Sequence, residues 1–186
     1  MEALDALLNR VSVPRLTEPA PDAAQRELLF RAALRAPDHG QLRPWRFITV
    51  EGAAREQLGE LLVTALLASQ PQASAEALAK ARAMPLRAPL LVLVIARLHA
   101  HFKVPAQEQL LAAGCAAHGL LLAAHAIGVG AVWRTGELAY SPAVATGLGL
   151  QADEQLIAML YLGTPQGELR TPVRLDPQDF VSAWQG

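Results

Sequence analysis

Three places in the chain gather side chains that can do chemistry. Near the N-terminus, Arg10-x-Ser12 sets a guanidinium two residues from a hydroxyl, where a leucine-bearing helical stretch gives way to Pro14. That pair can grip a phosphate through charge-assisted hydrogen bonds, or it can be an ordinary solvated pair. From Arg35 to Val50 the sequence reads R-A-P-D-H-G-Q-L-R-P-W-R-F-I-T-V. A helical pattern breaks there at Pro37, crosses a polar turn through Asp38, His39 and Gly40, and enters a strand rich in aromatic and β-branched residues. Pro44 biases Arg43 toward extended backbone. His39 has three readings: metal ligand, general acid, or hydrogen-bonding wall residue. Late in the chain, Gly128-x-Gly130 leads into Val132-Trp133-Arg134. These glycines follow a helix and lack a third partner before a second helix, so they make a turn into a strand and not a dinucleotide fingerprint.

Other chemistries find less support. His99, His101, His118 and His125 offer imidazoles, but no cysteine or carboxylate completes a set at zinc-site spacing, and no metal is expected. The single cysteine, Cys115, excludes an intrachain disulfide and is expected in the core as a small hydrophobe. No Cys–His or Ser–His–Asp set can be placed around it.

The elements that position these residues follow from pattern. Glu2 to Asn9 spaces Leu4, Leu7 and Leu8 as a short amphipathic helix. Asp22 is an N-cap for a helix through Arg35, with Leu28, Leu29 and Leu34 expected inward. Ala53 to Ser69 and Ser74 to Met84 read as two further helices, the second with the alternative of a mobile flap. Pro89 to Ile95 is a continuous apolar run, expected as a strand buried on both faces. Pro105 opens a long helix to about Ala126, whose middle is made of small residues: Ala112, Ala113, Gly114, Ala116, Ala117 and Gly119. Glycine costs about 1 kcal/mol against alanine inside a helix, so its use there points to close backbone packing. The faces of Ala113, Gly114 and Ala117 are expected to meet a symmetry mate. A strand at 128–133, a short helix at 142–147 and a buried strand at 156–162 follow. The tail from about 170 to 186 carries Val173, Leu175, Phe180, Val181 and Trp184, apolar side chains that a partner subunit would cover.

Length and charge bound the rest. The 186 residues are 52% apolar, enough for a substantial single core, and no repeat or second domain is visible, so 1–186 is read as one α+β domain. Sixteen basic and seventeen acidic residues give net charge −1, with no basic footprint for nucleic acid. The stretch from Leu110 to Trp133 carries no formal charge, but its Ala/Gly character, two histidines and breaking glycines argue against a membrane span. The acidic N-terminal stretch lacks a signal-peptide pattern, and a cytoplasmic location is expected.

The A-P-D-H loop with its P-W-x-F continuation resembles the signature loop of the nitroreductase family of flavoproteins, in its short branch. Arg10-x-Ser12, the Gly114-Cys115 helix, the Val132-Trp133-Arg134 turn and Leu162-Gly163-Thr164-Pro165 fall in the family's order. The resemblance implies the nitroreductase-like α+β fold, with a central, mostly antiparallel sheet flanked by helices in an intertwined homodimer. FMN would be the cofactor, its phosphate and ribityl end held by Arg10, Val11 and Ser12. Val11 stands where the family has a second arginine; the later arginine is Arg15. Arg35 and His39 would reach the flavin bound mainly by the other subunit. Val132, Trp133 and Arg134 would lie along the isoalloxazine edge, one backbone N–H directed to N5. The family's Q-P-W is Arg43-Pro44-Trp45 here, so the glutamine amide is absent. The implied activity is ping-pong hydride transfer from NAD(P)H through FMN to a nitroaromatic or quinone-type acceptor, with no catalytic side chain required. The alternative is a flavin-binding or sequestering protein with little turnover.

Overall fold

A computed structural model describes residues 1–186. The run Leu90–Arg97 forms strand β3, buried along its length except at Arg97. Because side chains alternate across a strand, Leu91, Leu93 and Ile95 enter one hydrophobic cluster, and Leu90, Val92 and Val94 enter the other. This one strand feeds two cores.

Around it lie β2 (Trp45–Glu51) and β5 (Glu154–Pro165), both antiparallel to β3. The register against β5 shifts between Val94 and Ile95. Strand β4 (Gly130–Trp133) and a two-residue β1 (Leu16–Thr17), which the sequence pattern does not foretell, pair antiparallel with different stretches of β5. The sheet therefore runs β2–β3–β5–β4, with the short β1 pairing with the C-terminal end of β5.

Helices cover both faces. Helix α2 (Ala23–Ala33) and the long α5 (Ala106–Ala126) close one core with Leu29, Leu120 and Ala124. Helices α3 (Ala54–Ser69) and α4 (Ala75–Ala83), with the short α6 (Pro142–Gly147), close the other. Asp22 caps α2 with a full capping box to Gln25. The 74–84 segment does not stand off as a flap. Ser74 caps α4, Arg82 pairs with Glu60, and a Cβ at Gly59 would collide with the Arg82 carbonyl.

Several expectations are corrected. In α1 (Ala3–Asn9) only Ala6 is buried, and Leu4, Leu7 and Leu8 face outward. Leu28 and Leu34 are likewise exposed, and Leu29 alone of the three points inward. Ala113 and Ala117 belong to the protomer's own core. The open stripe of α5 is instead Leu111, Cys115 and His118, with the half-buried Gly114 beside them, so Cys115 is not a core residue. Arg43 has φ +51°, left-handed and not extended. Asp38 Oδ2 accepts the Arg43 N–H at 2.7 Å and the Arg43 carbonyl accepts from Trp45 N at 2.8 Å, which outweighs the bias from Pro44. Helix α5 is long and apolar enough to cross a bilayer by length and composition, yet its small residues pack on α2 and the sheet.

One ion pair ties the strand ends together. Arg46 grips Glu154 through two hydrogen bonds of 2.6 and 2.7 Å, and the Glu154 side chain is only 4% exposed. The Arg46 hydrogen bonds, helped by the Gln151 N–H, outweigh burial and hold the Glu154 carboxyl down at about 2. Its ordinary value is 4.5, so the pair stabilises the fold above that pH, and the contribution fades as pH falls through about 2. Urea melts from pH 7 to pH 2 should therefore show a steeper acid loss for wild type than for Glu154→Gln. Equal slopes would mean that the pair contributes nothing.

Candidate functional site

Helix α1 ends at Asn9, and residues 10–15 then run as a strap past the outer edge of β4. Val13 N donates to Ala131 O at 2.9 Å, and Gln166 N donates to Arg15 O at 3.1 Å. The strap thus brings Arg10, Val11 and Ser12 to the same sheet edge as Val132, Trp133 and Arg134. A polar cleft of about 240 Å³ opens beside it, lined by Ser12, Arg15, Gln166, Glu168 and Arg170 among others. Arg10, Arg15 and Arg170 form no ion pair in the protomer. In this cleft the unpaired guanidiniums of Arg15 and Arg170, with the Ser12 hydroxyl, suit a phosphate dianion, and Glu168 is the one opposing charge.

On the other side of the strap, Arg10, Val11, Gly128, Gly130 and His125 frame a cavity of about 30 Å³, room for one water. His125 Nε2 is buried there without a partner. Burial, and then the charge of Arg10, push the His125 imidazole below its ordinary pKa.

Beyond the strap, Val132 is buried and Trp133 is 39% exposed at the end of β4. The indole is not free to swing: Nε1 donates to Thr135 Oγ1 at 2.8 Å, and Thr135 is itself buried. The Arg134 N–H is taken by Met159 O at 2.9 Å. Its guanidinium lies near the buried Tyr161, whose phenol is pushed up by burial and partly drawn back by Arg87 and Arg134.

Arg35 and His39 are elsewhere. The turn His39–Gln41 leads into β2, at the opposite edge of the sheet from β4. Three strand spacings separate those edges, about 14 Å. His39 Nδ1 meets Glu108 Oε2 at 2.6 Å in the first turn of α5, whereas Arg10 lies by His125 in its last turn. The 17 residue-to-residue steps from Glu108 to His125 span about 25 Å of helix. One protomer therefore holds the predicted residues as two groups, Arg10–Ser12 with Val132–Arg134, and Arg35 with His39. It does not bring them around one ligand.

The other histidines do not assemble into a ligand set. His101 Nδ1 takes the backbone N–H groups of Lys103 and Val104, the His99 backbone is held by Gln109, and no group of three His, Cys, Asp or Glu side chains comes together. Sequence reasoning missed Glu108 and Thr135. Glu108 is 69 residues from His39, with no local signal joining them. Thr135 could have been suspected as a polar residue two positions after an edge tryptophan.

The sequence model of the nitroreductase family matches residues 7–164. The chain belongs to the nitroreductase family. YdjA of Escherichia coli (strain K12) is 41% identical over 98% of this chain and 99% of its own. A nitroreductase-family relative from Haemophilus influenzae is 39% identical over the same shares. Among solved structures, a nitroreductase-like protein from Bacillus cereus superposes with TM-score 0.84 at 21% identity, covering 100% of this chain and 97% of that one. A nitroreductase solved in complex with FMN from Desulfovibrio desulfuricans gives 0.76 at 23% identity, covering 98% and 97%. The expected nitroreductase-like fold is thereby found, and the family is one of oxidoreductases.

If Thr135 fixes the tryptophan of this nitroreductase-family edge, Thr135→Val should cost about 0.5–1.5 kcal/mol and change the near-UV dichroism, while Thr135→Ser restores both. Paired urea melts and spectra check this. An unchanged spectrum in Thr135→Val would show that the hydrogen bond does not hold the indole.

Proposed function

We propose that this protein is an FMN-dependent NAD(P)H oxidoreductase that works as a homodimer, each flavin site being built from both chains. The observation that carries the reading is the split of the site residues between opposite edges of one sheet, in a chain of this family. Two copies related by a two-fold axis would present the strap edge of one to the loop edge of the other, twice over. The NAD(P)H nitroreductase names of the E. coli and H. influenzae relatives and the FMN complex of the D. desulfuricans protein support the choice of donor and cofactor.

When bound, FMN supplies the redox chemistry, accepting reducing equivalents from NAD(P)H and passing them to a nitroaromatic or quinone-type acceptor in turn. The chain's own residues hold and orient. Arg10 and Ser12 take the phosphate, with Val11 between them on the strap. The Val132–Arg134 edge lies along the ring system, where Trp133 forms a fixed apolar wall. Arg35 and His39 close the pocket from the second chain. A cytoplasmic location belongs to the same reading.

The subunit contact uses the open stripe of α5. Apart from its chain neighbours and the backbone of its own helix turns, nothing lies within 4 Å of where a Gly114 Cβ would stand, so the protomer itself has room for a side chain there. The tail adds apolar surface that its own protomer leaves bare, with Trp184 at 91% exposure.

Three outcomes test this reading. Purified protein should be yellow, release FMN on heating and bleach when NADH or NADPH is added without oxygen. A protein that stays apo when offered FMN ends the reading, and a yellow one that neither nicotinamide bleaches is a flavin-binding protein only. Arg10→Ala should weaken FMN binding by about one to two decades with the fold intact, as expected for one charge-assisted hydrogen bond; unchanged affinity in a flavin titration would remove Arg10 from the site. Gly114→Leu should leave the protomer at least as stable, since leucine gains about 1 kcal/mol in helix propensity. It should nevertheless lower dimer affinity and FMN content together in sedimentation read at protein and flavin wavelengths. A Gly114→Leu dimer with full flavin would place the contact elsewhere.

A further inference from the structure

The His39–Glu108 contact is short for a pair that is half open to water. The side chains are 57% and 47% exposed, and the Nδ1–Oε2 distance is 2.6 Å. Exposed pairs of this kind contribute little to stability, so its consequence lies in geometry. A carboxylate can only accept, and the hydrogen in the contact therefore sits on Nδ1. A histidine side chain free in water prefers the other tautomer, with its hydrogen on Nε2.

The surrounding loop is built to hold the ring in place. Gly40, Gln41 and Arg43 all have positive φ, at 77°, 52° and 51°, a costly run for two non-glycine residues. Asp38 Oδ2 fastens the Arg43 N–H, and a Cβ at Gly40 would press on Val104 at 3.2 Å. The next residue of α5, Gln109, is buried and holds the His99–Val104 loop from beneath with three hydrogen bonds, at His99 N, His99 O and Val104 O. Neighbouring residues in the first turn of α5 thus anchor two adjacent loops, and Glu108 is the one that touches a predicted site residue.

We propose that Glu108 is a positioning residue for the flavin site, holding His39 with its hydrogen on Nδ1 so that Nε2 is presented as a hydrogen-bond acceptor to the cofactor. This rests on the reading that His39 closes a flavin pocket shared between subunits. A lone pair at Nε2 suits a donor on the cofactor, either an imide N–H or a ribityl hydroxyl. The opposite tautomer would set two donors face to face and lose the bond.

The test uses the full-length holoprotein and two readouts. Long-range ¹⁵N–¹H correlation spectra of the histidine side chains report the His39 tautomer without reference to the cofactor. Fluorescence titration reports FMN affinity. Wild type and Glu108→Asp, which keeps the carboxylate, should show the Nδ1–H form. Glu108→Ala should revert to Nε2–H and bind FMN about three- to tenfold more weakly, with an unchanged unfolding midpoint. A wild-type His39 in the Nε2–H form, or with hydrogen on both ring nitrogens, overturns the proposal. So does a Glu108→Ala protein that binds FMN like wild type while His39→Ala binds weakly. If His39→Ala itself keeps full FMN affinity, the shared-site reading fails and the proposal falls with it, whatever the tautomer.

Discussion

The burial of β3 on both faces is the constraint from which the rest follows. A strand apolar on both sides must sit inside a sheet covered by helices above and below, so it takes a neighbour on each edge. Here those neighbours are β2 and β5. The loop before β2 carries Arg35 and His39, and the outer edge of β5 receives β4 and the strap with Arg10 and Ser12. Once β3 is central, these two groups stand on opposite edges of the same molecule. Within one protomer the two groups do not meet.

Helix α5 carries two glycines in different surroundings. At Gly119 a Cβ would stand 3.2 Å from the Ala32 carbonyl, so this glycine lets α2 come close within one protomer. At Gly114 the Cβ would meet nothing outside its own helix turns. One glycine serves the fold, and the other leaves a smooth surface beside Leu111, Cys115 and His118. The exposed leucines of α1 and the bare tail fit the same account, since apolar residues that the protomer leaves in water are explained if a second chain covers them.

Much of this could be read in the sequence, and the failures share a cause. The Asp22 cap, the doubly buried run at 90–95, the long small-residue helix and the 142–147 helix are local signals, and local physics decides them. Periodicity finds apolar faces but does not say whose core they enter. Leu28 and Leu34, expected inward, lie outward, and Ala113 and Ala117, expected against a partner, lie inside. Arg43 failed differently: the bias from Pro44 is weaker than two specific hydrogen bonds made by the loop. Contacts between distant residues, His39 with Glu108 and Arg46 with Glu154, left no mark in the sequence pattern at all. The separation of Arg35 and His39 from Arg10–Ser12 is expected from the family resemblance, whereas composition and periodicity carry no sign of it.

That partition makes a complementation experiment the most direct test of a shared site. One variant carries Arg10→Ala in the strap, and the other carries Arg35→Ala with His39→Ala in the loop. Each alone binds FMN weakly. Mixed under conditions that exchange subunits, half of the dimers become hybrids, and each hybrid has one site with both defects and one with none. The account predicts that tight FMN binding returns at about one site in four. If the mixture binds no more tightly than the two variants kept apart, each chain carries its own complete site and the shared-site account is wrong.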